Sequence, residues 1–229
     1  MFTKETYIAR RNELRRRMPK GGIVILLGNA EAPRNYFDNA YDFRQDSTFL
    51  YFFGLNLANL IGIVDLDNGR DYLYGDDYTV DDIIWMGPQP SVRELGASVG
   101  VSDTDRFEAA RAKVQDAMRS GRRVHYIVPY RGDGILLMSR LTGIKTSEHY
   151  NHQSVDLIIN VAAMREEKSA EEIEEMERAF DIGYAMHTTA MRMTRPGVTE
   201  RAIAGAMEGV THQLGAGVSF HSIVSQHGE

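Results

Sequence analysis

Two strand-like runs flank an Asn-Gly pair in "IVDLDNGRDYLYG" (Ile63 to Gly75), and this stretch restricts the fold more than any other. Asn68 and Gly69 tolerate the positive φ angles of a tight turn, so the runs are expected to form an antiparallel hairpin. A chain with a hairpin beside strand-helix-strand patterns cannot build a purely parallel sheet. "GGIVILLG" (Gly21 to Gly28) reads as a buried strand bounded by glycines, and "STFLYFFG", "LIGIVDL" and "RRVHYIVPY" read as further strands. "YTVDDIIWMGPQP" reads as a short helix stopped by Gly87 and Pro88, and "TDRFEAARAKVQDAMRSG" as a longer one closed by Gly121. The fold class is therefore α/β, with a mixed β-sheet flanked by helices.

The opening "MFTKETYIARRNELRRRM" carries Tyr7, Leu14 and Met18 at helical spacing. Arg10, Arg11, Arg15, Arg16, Arg17 and Lys20 cluster on this helix and are expected to form a solvated basic face. The whole chain of 229 residues has a formal net charge of -6 at pH 7, which argues against broad nucleic-acid binding. There is no cysteine, which rules out disulfides and a catalytic thiol and suits a reducing cytoplasm. The opening has charge where a secretory signal would need an apolar core, and runs such as "IVILL" are far too short to cross a bilayer. A cytoplasmic location without membrane contact is the expectation.

From Val155 to Lys168 the pattern changes. Ser169 and Glu172 are spaced as a capping box, and Ile173, Met176, Phe180, Tyr184, His187 and Met191 form one apolar stripe expected to lie on a core. After "RPGVTE", Thr199 caps a second helix, "ERAIAGAMEGVTHQLGAG", and "SFHSIVS" reads as a strand. Two helices and one strand cannot close a core, so this second domain is expected to be unfinished. The expected division is 1–160 and 161–229.

Motifs for several chemistries are missing. No phosphate-binding glycine loop follows a strand, and no serine sits in a Gly-x-Ser-x-Gly frame. His149 and His152, in "TSEHYNHQS", are expected to be solvated, and His187 to be a hydrogen-bonded core histidine. The closing "GVSFHSIVSQHGE" sets His221, His227 and Glu229 close in sequence, but a strand ending near Ser225 would turn the two histidines to different environments. They are not expected to share an ion, and no metal site is assigned within the chain. Trp85, the only tryptophan, ends the short helix, where packing competes with ligand contact as its role. Arg44 follows Asp38 and Asp42, and an Asp38–Arg44 pair is expected to fix that loop.

In combination these stretches resemble the Xaa-Pro aminopeptidase and prolidase family, the creatinase-like enzymes with a pita-bread metallopeptidase domain. "FRQDSTFLYFFGL" (Phe43 to Leu55) resembles the Arg-Gln-x-Ser-x-Phe-x-Tyr-x-x-Gly run of the family's N-terminal domain, and "IIWMGP" its Trp-x-Gly segment. "REEKSAEEIEEMERAFDIGYAMH" with "RPGVTE" and "FHSIV" is similar to the linker and the first helices and strand of the catalytic domain. Ser225, Gln226, His227 and Gly228 stand where the family has an earlier glycine.

The resemblance implies an N-terminal α/β domain that shapes substrate access and subunit contacts, followed by the beginning of a pita-bread domain. It implies that Trp85 and His221 lie near the substrate entrance. It also implies two divalent ions, manganese the expected metal, held in the full-length protein by two aspartates, a histidine and two glutamates beyond Glu229. Substrates would be peptides with proline in second position, and the assembly a homo-oligomer, dimer or tetramer. This stretch alone would hold no metal and be inactive. A dipeptide-cleaving prolidase and a non-catalytic binding or assembly module of the same fold are the alternatives.

Overall fold

The computed structural model describes residues 1–36, 38–215 and 217–228. It divides into two compact units, Met1–Glu166 and Glu167–Glu229. In the first unit the elements run α1 (Lys4–Arg17), β1 (Gly22–Leu27), α2 (Ser47–Phe53), β2 (Ile61–Asp65), β3 (Asp71–Tyr74), α3 (Val80–Met86), α4 (Val92–Ser98), β4 (Asp103–Asp105), α5 (Ala109–Arg119), β5 (Arg123–His125), α6 (Gly132–Thr142), α7 (His149–His152) and α8 (Val155–Glu166). The sheet order is β4-β3-β2-β1-β5. Strands β1, β2 and β3 are antiparallel to one another in turn, while β5 runs parallel to β1 and β4 parallel to β3. This is the mixed sheet flanked by helices that the hairpin requires.

Both faces of the sheet are covered, which is why β1 and β2 are apolar without alternation. Val24, Leu26 and Val64 face one core with Leu14 of α1, Phe49, Phe52 and Phe53 of α2, and Leu157 of α8. Ile23, Ile25, Ile61 and Ile63 face the other with Val114 of α5 and Met138 and Leu141 of α6.

The β2–β3 hairpin forms, but with a wider connection than a two-residue turn. Asp65 N donates to Arg70 O at 2.9 Å, and the Asp65 carboxylate accepts from the amides of Asp67 and Asn68. Only Gly69 takes a positive φ, 73°. Burial alone would raise the Asp65 carboxyl, but the Arg122 guanidinium and these two amides outweigh it and hold it below its ordinary range.

"STFLYFFG" is a helix, not a strand. Asp46 caps it by accepting from the amides of Thr48 and Phe49, and the buried Phe49, Phe52 and Phe53 recur at helical spacing. Gly54 ends it at φ 68°, where a Cβ would stand 2.1 Å from the Tyr7 ring. The residue type there is fixed by two constraints at once.

The basic face expected on α1 is also corrected. Arg10 and Arg11 are buried, because Arg11 lies on the same face as Tyr7 and Leu14. Arg11 donates to Asp71, to Phe52 O and to Val99 O, while Arg10 donates to Tyr51 O and lies 4.0 Å over the Tyr51 ring.

The second unit contains α9 (Ala170–Met193) and α10 (Glu200–Leu214). Ser169 and Glu172 form the capping box, and Thr199 accepts from the amide of Ala202. The two helices pack on each other, and Ile203 and Met207 of α10 are buried. The α9 stripe is not buried: Ile173, Met176, Phe180, Tyr184 and Met191 are exposed, as is His187, so no core histidine stands there. "SFHSIVS" forms no strand. Among the described residues it has no ladder partner, and its Ser222 amide instead donates to the Glu208 carboxylate at 3.4 Å.

Candidate functional site

The chain leaves β1 at Gly28 toward α2 on one face of the sheet, and leaves β5 at Tyr126 toward α6 on the other. Adjacent parallel strands whose connections diverge in this way open a crevice at their carboxyl ends. Here the crevice has a volume of about 360 Å³. Ile25, Leu27, Ile127 and Met138 contribute its apolar lining, and Asn29, Thr48, Tyr130, Arg131 and Arg140 its polar lining.

One wall is held by Gln45. Its Oε1 accepts from the amides of Asn29 at 2.8 Å and Asp46 at 2.9 Å, and its Nε2 donates to Leu55 O and Leu57 O at 3.0 and 2.7 Å. The amide is buried and all four bonds run to backbone, so this one side chain clamps the loop after β1 to the end of α2. Asn29 carries the clamp across the crevice, its Nδ2 donating to Arg44 O and to the Tyr130 hydroxyl.

The loop is thus fixed by Gln45 and not by an Asp38–Arg44 pair. Both of those side chains are exposed, and no ion pair joins them among the described residues. Sequence reading passed over Gln45, although its place in the Arg-Gln run was the available signal.

Two histidines are buried here, His125 at the end of β5 and His149 at the start of α7. His149 Nδ1 is 2.9 Å from the Tyr126 hydroxyl and its Nε2 is 2.8 Å from Ser139 Oγ; His125 Nδ1 is 2.7 Å from Ser154 Oγ. Burial pushes both imidazoles below their ordinary range, with the nearby charges of His152 and Arg123 adding to it respectively. His149 is therefore a buried structural histidine, contrary to its expected solvation, while His152 is exposed. A polar composition around "TSEHYNHQS" concealed this.

Trp85 is 88% exposed on α3, a helix with no buried residue, beside the exposed Ile84 and Val80. The helix is held by its own capping box between Thr79 and Asp82. His221 and His227 are both exposed, and Glu229 lies outside the described residues. Among the described residues no three His, Asp or Glu side chains are grouped so as to hold a metal ion. No helix among them is long and apolar enough to cross a membrane.

Residues 7–126, just over half of the chain, match the family model described as the aminopeptidase P N-terminal domain. Over the whole chain the sequence is 23% identical to an Xaa-Pro aminopeptidase of Escherichia coli, covering 53% of that protein. Human Xaa-Pro dipeptidase is 31% identical over 83 residues, which is 36% of this chain and 17% of that protein. A structure of zinc-substituted Escherichia coli aminopeptidase P in complex with product superposes with a TM-score of 0.74 at 22% identity, over 93% of this chain and 50% of that one. The chain spans about half the length of the Escherichia coli aminopeptidase it matches.

Proposed function

Since the chain belongs to the family with the aminopeptidase P N-terminal domain, we propose that it is the N-terminal region of a metal-dependent Xaa-Pro aminopeptidase, an exopeptidase that removes the residue preceding proline. The observation that carries this reading is the matched segment itself, in which the Gln45-clamped loop, the Gly54 cap and the exposed Trp85 follow one another as in the family's motifs.

In this reading residues 1–160 shape substrate access and subunit contacts within a homo-oligomer, and residues 161–229 begin the catalytic pita-bread domain. Trp85 and His221 belong to the substrate entrance. An indole that buries nothing in its own fold is suited to contact a neighbouring subunit or a peptide. Two divalent cations, manganese the expected metal, would polarise the scissile carbonyl and supply the attacking hydroxide. The described residues do not fit such a centre, so no catalytic step is derived from them, and the 229 residues alone are expected to be inactive. The cytoplasm is the proposed location, consistent with the absence of cysteine.

The stronger local identity to human Xaa-Pro dipeptidase supports a second reading, cleavage of Xaa-Pro dipeptides. Both are tested by purifying the 229-residue chain and the product of its whole reading frame, then assaying each with manganese against an Xaa-Pro dipeptide and a longer Xaa-Pro peptide. Cleavage of the longer peptide by the whole product alone is the expected result. Preference for the dipeptide favours the second reading, cleavage by the 229-residue chain refutes its inactivity, and no cleavage by either leaves a binding or assembly module.

A further inference from the structure

We infer that the crevice at the carboxyl ends of β1 and β5 is a binding site for a small organic carboxylate with an apolar body, independent of any peptidase chemistry. Its volume, about 360 Å³, falls at the lower end of the range for small-molecule pockets. The floor is apolar, from Ile25, Leu27, Ile127 and Met138, so the part of a ligand that fills it must be hydrocarbon.

The charges around the crevice then decide what the other end of the ligand is. Two carboxylates line it, but both are engaged: Asp46 accepts from two amides of α2, and Asp133 is paired with Arg131 at 2.8 Å. Among the charged groups of the lining, the one left without a partner among the described residues is a cation. Arg140 has no ion pair among the described residues. Tyr130 accepts from Asn29 through its oxygen, which leaves its hydroxyl proton to donate. An apolar floor below a cationic guanidinium and a hydroxyl donor selects an acid over an amide or an amine. A fully apolar ligand would gain nothing from those donors, and a phosphate would leave the floor unfilled.

N-acetylleucine is a suitable probe, with N-acetylleucine amide as the uncharged control. Titrated into the isotopically labelled 229-residue chain and followed by amide NMR shifts, the acid should give saturable changes centred on Gly28, Asn29, Tyr130 and Gly134. Arg140→Ala should weaken binding by about tenfold or more, and Tyr130→Phe by a smaller factor. Both side chains are largely exposed, and the same spectra report whether the fold is kept. No saturable change at these amides up to ~10 mM acid, equal binding of the amide, or unchanged binding by the Arg140→Ala protein would each overturn the assignment.

Discussion

Arg11 donates from Nε to Asp71 Oδ2 at 2.7 Å, and the arginine side chain has no exposure to solvent. The pair joins α1 to β3, and the two remaining guanidinium nitrogens reach Phe52 O at 2.8 Å and Val99 O at 2.7 Å. One side chain thereby ties four separate parts of the first unit. Burial lowers its pKa against the opposing pull of Asp71, yet a guanidinium stays charged in any such setting.

Removing Arg11 should accordingly be among the most damaging single changes in the first unit. Arg11→Ala leaves Asp71 with Arg15 alone and strands two buried carbonyls, at an expected cost of about 3–5 kcal/mol. Arg11→Lys keeps the charge but cannot reach three acceptors with planar geometry, and should recover only part of it. Urea unfolding of the three proteins measures both values, and a loss under about 1 kcal/mol for the alanine variant would contradict the account.

Gly54→Ala should be disproportionately costly for the addition of one methyl group. The residue sits at φ 68°, and the new Cβ would stand 2.1 Å from Tyr7 Cζ and 2.4 Å from its hydroxyl oxygen. The left-handed conformation costs about 1–2 kcal/mol for an L-residue, and overpacking a core contact adds about 1–3 kcal/mol. Replacing Tyr7 by leucine in the same chain should relieve the second term and leave the first, so a double-mutant cycle separates them.

Stability should fall as pH drops through the range where free imidazole charges. His149 and His125 are held below their ordinary pKa by burial, so between the unfolded and folded values the unfolded chain binds more protons than the native one. Their contribution is complete above about pH 6.5 and is lost on acidification toward the lowered folded values. Each contributes a slope of up to about 1.4 kcal/mol per pH unit within that window. His149→Gln should flatten the decline measured by urea unfolding between pH 7 and 5, even though the variant is less stable at pH 7. An unchanged slope would mean that His149 takes up its proton equally in both states.

What could be read from residues alone followed from backbone constraints. The hairpin was legible in Asn68-Gly69, and α9 in its capping box, because these features act through neighbours in sequence. The errors came where tertiary partners decide. Arg11 is polar and was placed with its exposed neighbours, although it shares a face with Tyr7 and Leu14; only the convergence of Asp71, Phe52 and Val99 makes that burial affordable. The apolar run "STFLYFFG" reads as a strand from its composition, and the Asp46 cap that makes it a helix went unread. Gln45 was missed because four backbone partners spread over almost thirty residues leave no pattern around the side chain that binds them.

Loss of the Gln45 clamp should loosen the wall of the crevice before it unfolds the protein. Gln45→Leu fills similar volume but leaves two amides and two carbonyls without their partner, at an expected cost of about 2–4 kcal/mol. The Pro33–Ala40 bridge joins the loop from Asn29 to Arg44 only to itself and does not tie it to the sheet. Hydrogen exchange should therefore speed up across that loop while β1 itself stays protected, and equal protection in both proteins would show that the loop is held elsewhere.

Trp85 tests the proposed subunit contacts, because its own fold gives it nothing to hold. With 88% of its surface exposed on a helix that buries no residue, Trp85→Ala should change unfolding stability by no more than about 0.5 kcal/mol. If α3 meets a neighbouring subunit, the same substitution should weaken self-association measured by sedimentation velocity, since a buried tryptophan commonly contributes about 2 kcal/mol or more to an interface. Arg119→Ala, an exposed change on α5, serves as the control that should leave association unaltered. Identical sedimentation of the Trp85→Ala and parent chains over a range of concentrations would remove α3 from the assembly surface and leave peptide contact as the role for the indole.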